Sequence, residues 1–147
     1  QGPHWVEQLL DLLEGYRVVS VFADVRNIKW GDAEDLFDIT MVFDNGTHAR
    51  ASKADISYCN LPYKWIALGT EASLTCSGDE FCTIYGEDFE MKRTRAVEQS
   101  NLHSNLAEHL RHDAELIIPA SHALRVMQVL EAARQSSATG KSTDVEI

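Results

Sequence analysis

The chain of 147 residues carries 13 Lys and Arg against 23 Asp and Glu, a formal net charge of −10, and is 44% hydrophobic. That length and balance fit one globular domain with its own core, and with neither a membrane-length apolar run nor a signal-peptide pattern a cytoplasmic location is expected. The negative charge argues against a nucleic-acid binder, because phosphate is repelled over most of such a surface.

The first stretch, Gln1 to Gly15, reads QGPHWVEQLLDLLEG. Pro3 suits a first helical turn, where its missing N–H costs nothing. Trp5, Leu9 and Leu12 recur at helical spacing with Val6, Leu10 and Leu13 beside them, and Gly15 suits a left-handed close. Arg17 to Asn27, rich in Val and Phe, reads as a strand covered on both faces. Lys29 to Asp35 is an acidic loop. From Gly31 to Ala49 there are five acids and no Lys or Arg, a pattern of solvated loop and strand edge. Leu36 to Asp44 alternates, with Phe37, Ile39, Met41 and Phe43 on one face. Asn45-Gly46 is a strong hairpin signal. Thr47 to Tyr58 is then the return strand, and its Ala49, Ala51, Ser52 and Ala54 suggest a helix packed closely over it.

Tyr63 to Leu68 and Ala72 to Cys76 form another strand pair around Gly69-Thr70. Phe81 to Tyr85 and Phe89 to Thr94 follow a Ser77-Gly78-Asp79 turn, with Gly86-Glu87-Asp88 between them. Ser100 is placed as an N-cap for a short helix running to His112, with Leu102, Leu106 and Leu110 four apart. Ala114 to Ile118 reads as a brief strand closed by Pro119. Ser121 is expected to cap the last helix, with Leu124, Met127, Leu130 and Ala133 as its inward stripe. Gly140 ends that helix, and Lys141 to Ile147 can add an edge strand. The expected class is α+β: an open, mainly antiparallel sheet with helices packed on one face. Its other face is either polar or docks on another domain or subunit.

Motifs of a self-contained catalyst are missing: there is no GxGxxG or GxxxxGK loop, no GxSxG elbow and no HExxH. Cys59, Cys76 and Cys82 are odd in number and lack CxxC spacing, which fits reduced thiols acting as small buried or half-buried hydrophobes. His103, His109 and His112 lie near Glu108 and Asp113. His109 and His112 share a helical face, but His103 is turned about 120° away, so no metal site is expected. His4, at the start of the first helix, is the better candidate. The positive end of the helix favours the neutral imidazole, which can accept a proton from a substrate hydroxyl. A purely structural histidine fits the same position.

Four segments in order carry a resemblance. GPHWVEQLLDLL resembles the segment that opens the C-terminal domain of the glucose–fructose oxidoreductase / inositol dehydrogenase family, often written Gfo/Idh/MocA. GDAEDLFDITMVFDNGTHARASKA is similar to its acidic loop, hairpin and small-residue return strand. WIALGTEASLTCSGD resembles its G-T-x-G-S-L strand pair, with Ala72 in place of the usual Gly. AELIIPASHALRVMQVLEAARQSSATGKSTDV resembles its closing strand, helix and tail. The match runs from about Gly2 to Val145.

The resemblance implies a two-domain NAD(P)-dependent oxidoreductase acting on a sugar, cyclitol or related polyol. An N-terminal Rossmann domain holds NAD or NADP, and the C-terminal domain supplies substrate-pocket walls and a surface for other subunits. On that reading residues 1–147 are the C-terminal substrate-binding and oligomerisation domain of a longer protein. By itself the piece is expected to bind no nicotinamide and to be inactive. The family histidine falls on His4, and Glu7 stands where the family has Asp three residues later. Glu7, Arg26, Tyr58, Tyr63 and Trp65 are candidate substrate contacts, since polyols favour aromatic platforms with a few polar anchors. Homo-oligomerisation through the sheet face is expected. Two other classes stay open: a stand-alone interaction or assembly module, and a sugar-binding domain without chemistry.

Overall fold

A computed structural model of the chain describes residues 2–59, 61–77, 81–95 and 101–147. In chain order the elements are α1 (Gly2–Leu12), β1 (Val18–Arg26), β2 (Leu36–Phe43), β3 (His48–Ala54), β4 (Trp65–Leu68), β5 (Ala72–Cys76), β6 (Phe81–Gly86), β7 (Phe89–Arg95), α2 (Leu102–His112), α3 (Ala120–Thr139) and β8 (Thr143–Asp144). The α+β class is as expected, and every described strand pairing is antiparallel. The strands divide between two sheets, however, in the orders β3-β2-β1-β8 and β4-β5-β6-β7. The chain separates accordingly into two compact units, Gln1–Ser57 with Leu116–Ile147, and Tyr58–Glu115. Among the described residues no helix is long and apolar enough to cross a membrane.

In the first unit the alternation of β2 decides which face is covered. Ile39, Met41 and Phe43 are buried, and Ala49 and Ala51 of β3 sit beside them. The small side chains of β3 let α1 lie over it, while α3 lies over β1. From α1 the buried residues are Val6, Leu9 and Leu10, each contributing about 1.5–3 kcal/mol through lost apolar exposure. Leu12 turns outward. The β2–β3 turn follows its sequence: Gly46 adopts φ +83° and the Asn45 side chain accepts the Thr47 N–H at 2.9 Å.

Strand β1 is covered on one face only. Val18, Val21 and Ala23 are buried, with α3 over the strand, and Phe22 is exposed on the other side. The edge of β1 is closed by two devices. Its first half pairs with the tail, Ser20 with Asp144 and Val21 with Thr143, as an edge strand. Beyond that point two serines of α3 take over. Ala23 N–H donates to Ser136 Oγ and Val25 N–H to Ser137 Oγ, both at 2.9 Å. Ser136 Oγ in turn donates to Lys141 O at 2.6 Å. These bonds need α3 to lie close, which explains why its inward positions are Val126, Val129, Ala132, Ala133 and Ser136. Leu124 and Met127, expected inside, are exposed. Small residues win this face because a hydroxyl must reach backbone.

Further expectations are corrected. Ala114–Ile118 is no strand but an irregular connection. Its carbonyls are taken locally: Asn105 Nδ2 donates to Glu115 O at 2.9 Å and His109 Nδ1 bonds Ala114 O at 2.6 Å. The α2 cap is Asn101, whose side chain accepts the His103 N–H, and α3 starts after Pro119 without a side-chain cap, so Ser121 lies inside the helix. Ser100, like Gly78 and Asp79 of the expected turn, lies outside the described residues. Finally, Cys76 and Cys82 form a disulfide, because the β5–β6 register sets them directly opposite each other. Spacing along the chain carries no trace of that register. Cys59 is exposed and not the buried hydrophobe expected.

Candidate functional site

His4 lies in the first turn of α1, where the chain enters the helix through Gly2 and Pro3. The three buried residues of α1 anchor the helix, and its start lies beside Leu130 of α3. This anchoring leaves the His4 side chain outside, 82% exposed, with Nδ1 3.8 Å from Glu7 Oε2 one turn on. With a carboxylate on the Nδ1 side and most of the side chain open, the imidazole is accessible for proton exchange with a bound hydroxyl. His4 and Glu7 are thus brought together.

Arg26 is placed differently. It ends β1 on the outer face, with Nε and a terminal nitrogen each 2.7 Å from the two oxygens of Asp24. Hydrogen bonding and the charge of Asp24 hold its guanidinium above its ordinary value. Asp24 faces Asp38 across the β1–β2 ladder, a like-charge pair that is unfavourable when bare. Arg50 on β3 answers Asp38, and its own guanidinium is raised by that bond and charge. The result is a row of two Arg–Asp pairs with Phe22 exposed beside it, so the outer face is polar without being of one sign.

Sequence reasoning missed Asp35. One of five acids in a run read as solvated, it is only 3% exposed. Its carboxylate accepts the N–H groups of Ile28 (2.9 Å), Lys29 (2.5 Å) and Trp30 (3.0 Å). Burial pushes the carboxyl up, but these backbone donors together outweigh burial and hold it below the usual carboxylate range. The loop between β1 and β2 is therefore wound round one carboxylate. Lys29 lies over the Trp30 ring at 5.0 Å, and Ile28 and Trp30 face solvent. Only the position of Asp35, just before an apolar strand, hinted at this role.

Tyr58, Tyr63 and Trp65 belong to the second unit. Tyr58 is fully exposed, Tyr63 is exposed and Trp65 is half-buried opposite Cys76. In this unit the register sets Ala72 opposite Gly86, which brings two hairpin ends side by side. Between them is an open groove of about 680 Å³ lined by Gly69 to Ser73 and Tyr85 to Asp88. Gly69 is required there, since a Cβ would stand 2.8 Å from the Ala72 carbonyl oxygen. The helical histidines are engaged singly: His109 with Ala114 O, and His112 3.8 Å from Glu108. Among the described residues no group of three or more His, Cys, Asp or Glu side chains could hold a metal ion. With antiparallel pairing throughout, the described residues also contain no βαβ crossover of the kind that cradles a dinucleotide.

Neither a protein-family model nor any curated protein matches the chain. Solved structures do match it, and across nearly its whole length. Bacillus subtilis yvaA superposes with TM-score 0.85 at 19% identity, covering 99% of this chain and 50% of that one. An NAD-binding protein from Listeria innocua gives 0.83 at 21% identity, covering 98% and 46%. The aldose–aldose oxidoreductase of Caulobacter crescentus, solved with glycerol, gives 0.79 at 17% identity, covering 98% and 46%. The chain thus has the fold of one part of these proteins and spans about half the length of each.

Proposed function

We propose that the chain is the C-terminal, substrate-facing half of an NAD(P)-dependent oxidoreductase of the Gfo/Idh/MocA kind, acting on a sugar, cyclitol or related polyol. The observation that carries this reading is the match of nearly all of this chain to about half of each oxidoreductase-type structure. The aldose–aldose and NAD-binding descriptions of two of those proteins support the substrate class and the cofactor. The described residues hold no βαβ crossover, and the proposal places NAD or NADP on a preceding Rossmann domain. When bound there, nicotinamide supplies the hydride acceptor.

His4 is proposed as the catalytic residue of this half. Exposed at a helix start, the imidazole takes the hydroxyl proton of the substrate while Glu7 steadies the ring from the Nδ1 side. Tyr58, Tyr63 and Trp65, in the second unit, are proposed as polyol contacts. Arg26 is kept as an outer-face residue, since its guanidinium is already engaged by Asp24. The outer face of the first sheet, with exposed Phe22 among paired charges, is proposed as the surface that meets another copy.

The experiment begins with the coding sequence upstream of Gln1. It is expected to encode a βαβ unit with a glycine-rich turn, and the longer protein to bind nicotinamide dinucleotide and oxidise a polyol. The 147-residue chain by itself is expected to give no heat with NAD or NADP in calorimetry. Nicotinamide binding by that chain contradicts the proposal.

A further inference from the structure

We propose that Cys76 and Cys82 form a reversible thiol–disulfide exchange site on the second sheet, reacting with low-molecular-weight thiols and disulfides of the glutathione class. The two residues are directly opposed in the β5–β6 ladder and joined through sulfur, with Cα atoms 4.2 Å apart. Backbone pairing runs along five positions, from Ala72 with Gly86 to Cys76 with Cys82. The strands are therefore registered by their own hydrogen bonds, and two thiols released by reduction still face each other. A cross-link constrains the unfolded chain most when it closes a long loop. Here the separation is six residues, so the bond constrains the chain less than one closing a long loop, and the ladder holds the register without it.

The two sulfurs differ in access. Cys76 is buried and Cys82 half-buried. An incoming thiolate therefore attacks the Cys82 sulfur. The S–S bond breaks, a mixed disulfide forms on Cys82, and Cys76 leaves as a thiolate that water protonates. A second thiolate attacks the reagent sulfur of the mixed disulfide, forms the low-molecular-weight disulfide and releases Cys82. Two thiols are oxidised and one protein disulfide is reduced. The reverse sequence, with the low-molecular-weight disulfide as oxidant, closes the bond again. The state of the bond bears on β4, because Cys76 O accepts the Lys64 N–H at 2.7 Å and Trp65 pairs opposite Cys76.

The test uses the 147-residue chain with Cys59→Ser, an exposed position, so that only the pair is read. Protein is equilibrated in buffers of stepped glutathione and glutathione disulfide, trapped by alkylation and weighed by mass spectrometry, with circular dichroism in parallel. The expected result is a switch from mostly disulfide to mostly dithiol over about a hundredfold change in the ratio of glutathione disulfide to squared glutathione. The dichroism stays constant through the switch, and the Lys64 amide exchanges about tenfold faster in the reduced form. Cys82→Ser in the same background abolishes the cycle. A bond that yields only when denaturant unfolds the chain overturns the proposal, as does a dithiol that persists in fully oxidising buffer. Unchanged exchange at Lys64 overturns the link to β4. No nicotinamide or turnover enters these readouts, so their outcome is separate from that of the oxidoreductase reading.

Discussion

Among the described residues, the buried apolar side chains of the first unit come from α1, α3 and all three long strands, whereas in the second unit Cys76 is the only one. Large apolar residues of the second unit face outward: Leu61, Ile66 and Leu68 around β4, and Leu102, Leu106 and Leu110 along α2. The first unit resembles an ordinary two-layer domain, helices on a sheet, with its own apolar interior. The second is held by ladders, one disulfide and exposed apolar faces, which is the condition of a surface that meets something else. Among the described residues, then, the unit that carries His4 has the apolar interior, and the second unit presents its apolar side chains outward.

Mutations in matched positions break that contrast most directly. Phe43→Ala, at 1% exposure in the first unit, should cost about 3–5 kcal/mol in urea unfolding. Ile66→Ala on β4, exposed, should stay within about 0.5 kcal/mol. Equal losses would mean that the second unit has an interior of its own. Next in size is Ser136→Ala, which leaves the buried Ala23 N–H without its acceptor and should cost about 1–3 kcal/mol.

Asp35 sharpens the comparison by pH. Its folded carboxyl is held below the ordinary value, so its stabilisation is present above about pH 3.9, where the unfolded group titrates, and is lost as pH falls through the lower folded value. Asp35→Asn should therefore lower stability at neutral pH and flatten the acid limb of the melting profile. An acid limb identical to that of the parent protein would show that the loop does not depend on this charge. The smallest effect is expected for the second unit in hydrogen exchange. Amides of β4 to β6 should exchange at lower opening free energies than those of β1 and β2.

Much of the scaffold was legible in the sequence because a period is a local property. The alternation of β2, the Asn45-Gly46 turn and the small residues of β3 each act on near neighbours, and each matches the structure. What the sequence hid depends on partners distant along the chain. Asp35 looks like its acidic neighbours until the loop folds back to give it three N–H donors. Leu124 and Met127 read as an inward stripe by periodicity, but Ser136 must reach the β1 backbone, and that fixes which side of α3 faces in. The Cys76–Cys82 bond follows from register, which neither count nor spacing of cysteines encodes. Of the candidate residues, the closeness of His4 and Glu7 was legible because they lie one helical turn apart. The Asp24 partner of Arg26 was not foreseen, although it lies two residues back on the same strand face.

The central claim concerns the imidazole at the start of α1. The direct measurement is steady-state kinetics of the longer protein with and without His4→Ala, alongside dinucleotide affinity by calorimetry. The account predicts a fall in kcat of about 10²–10⁴-fold, with dinucleotide affinity and melting temperature preserved. Turnover equal to that of the parent protein, with the variant fully folded, contradicts it.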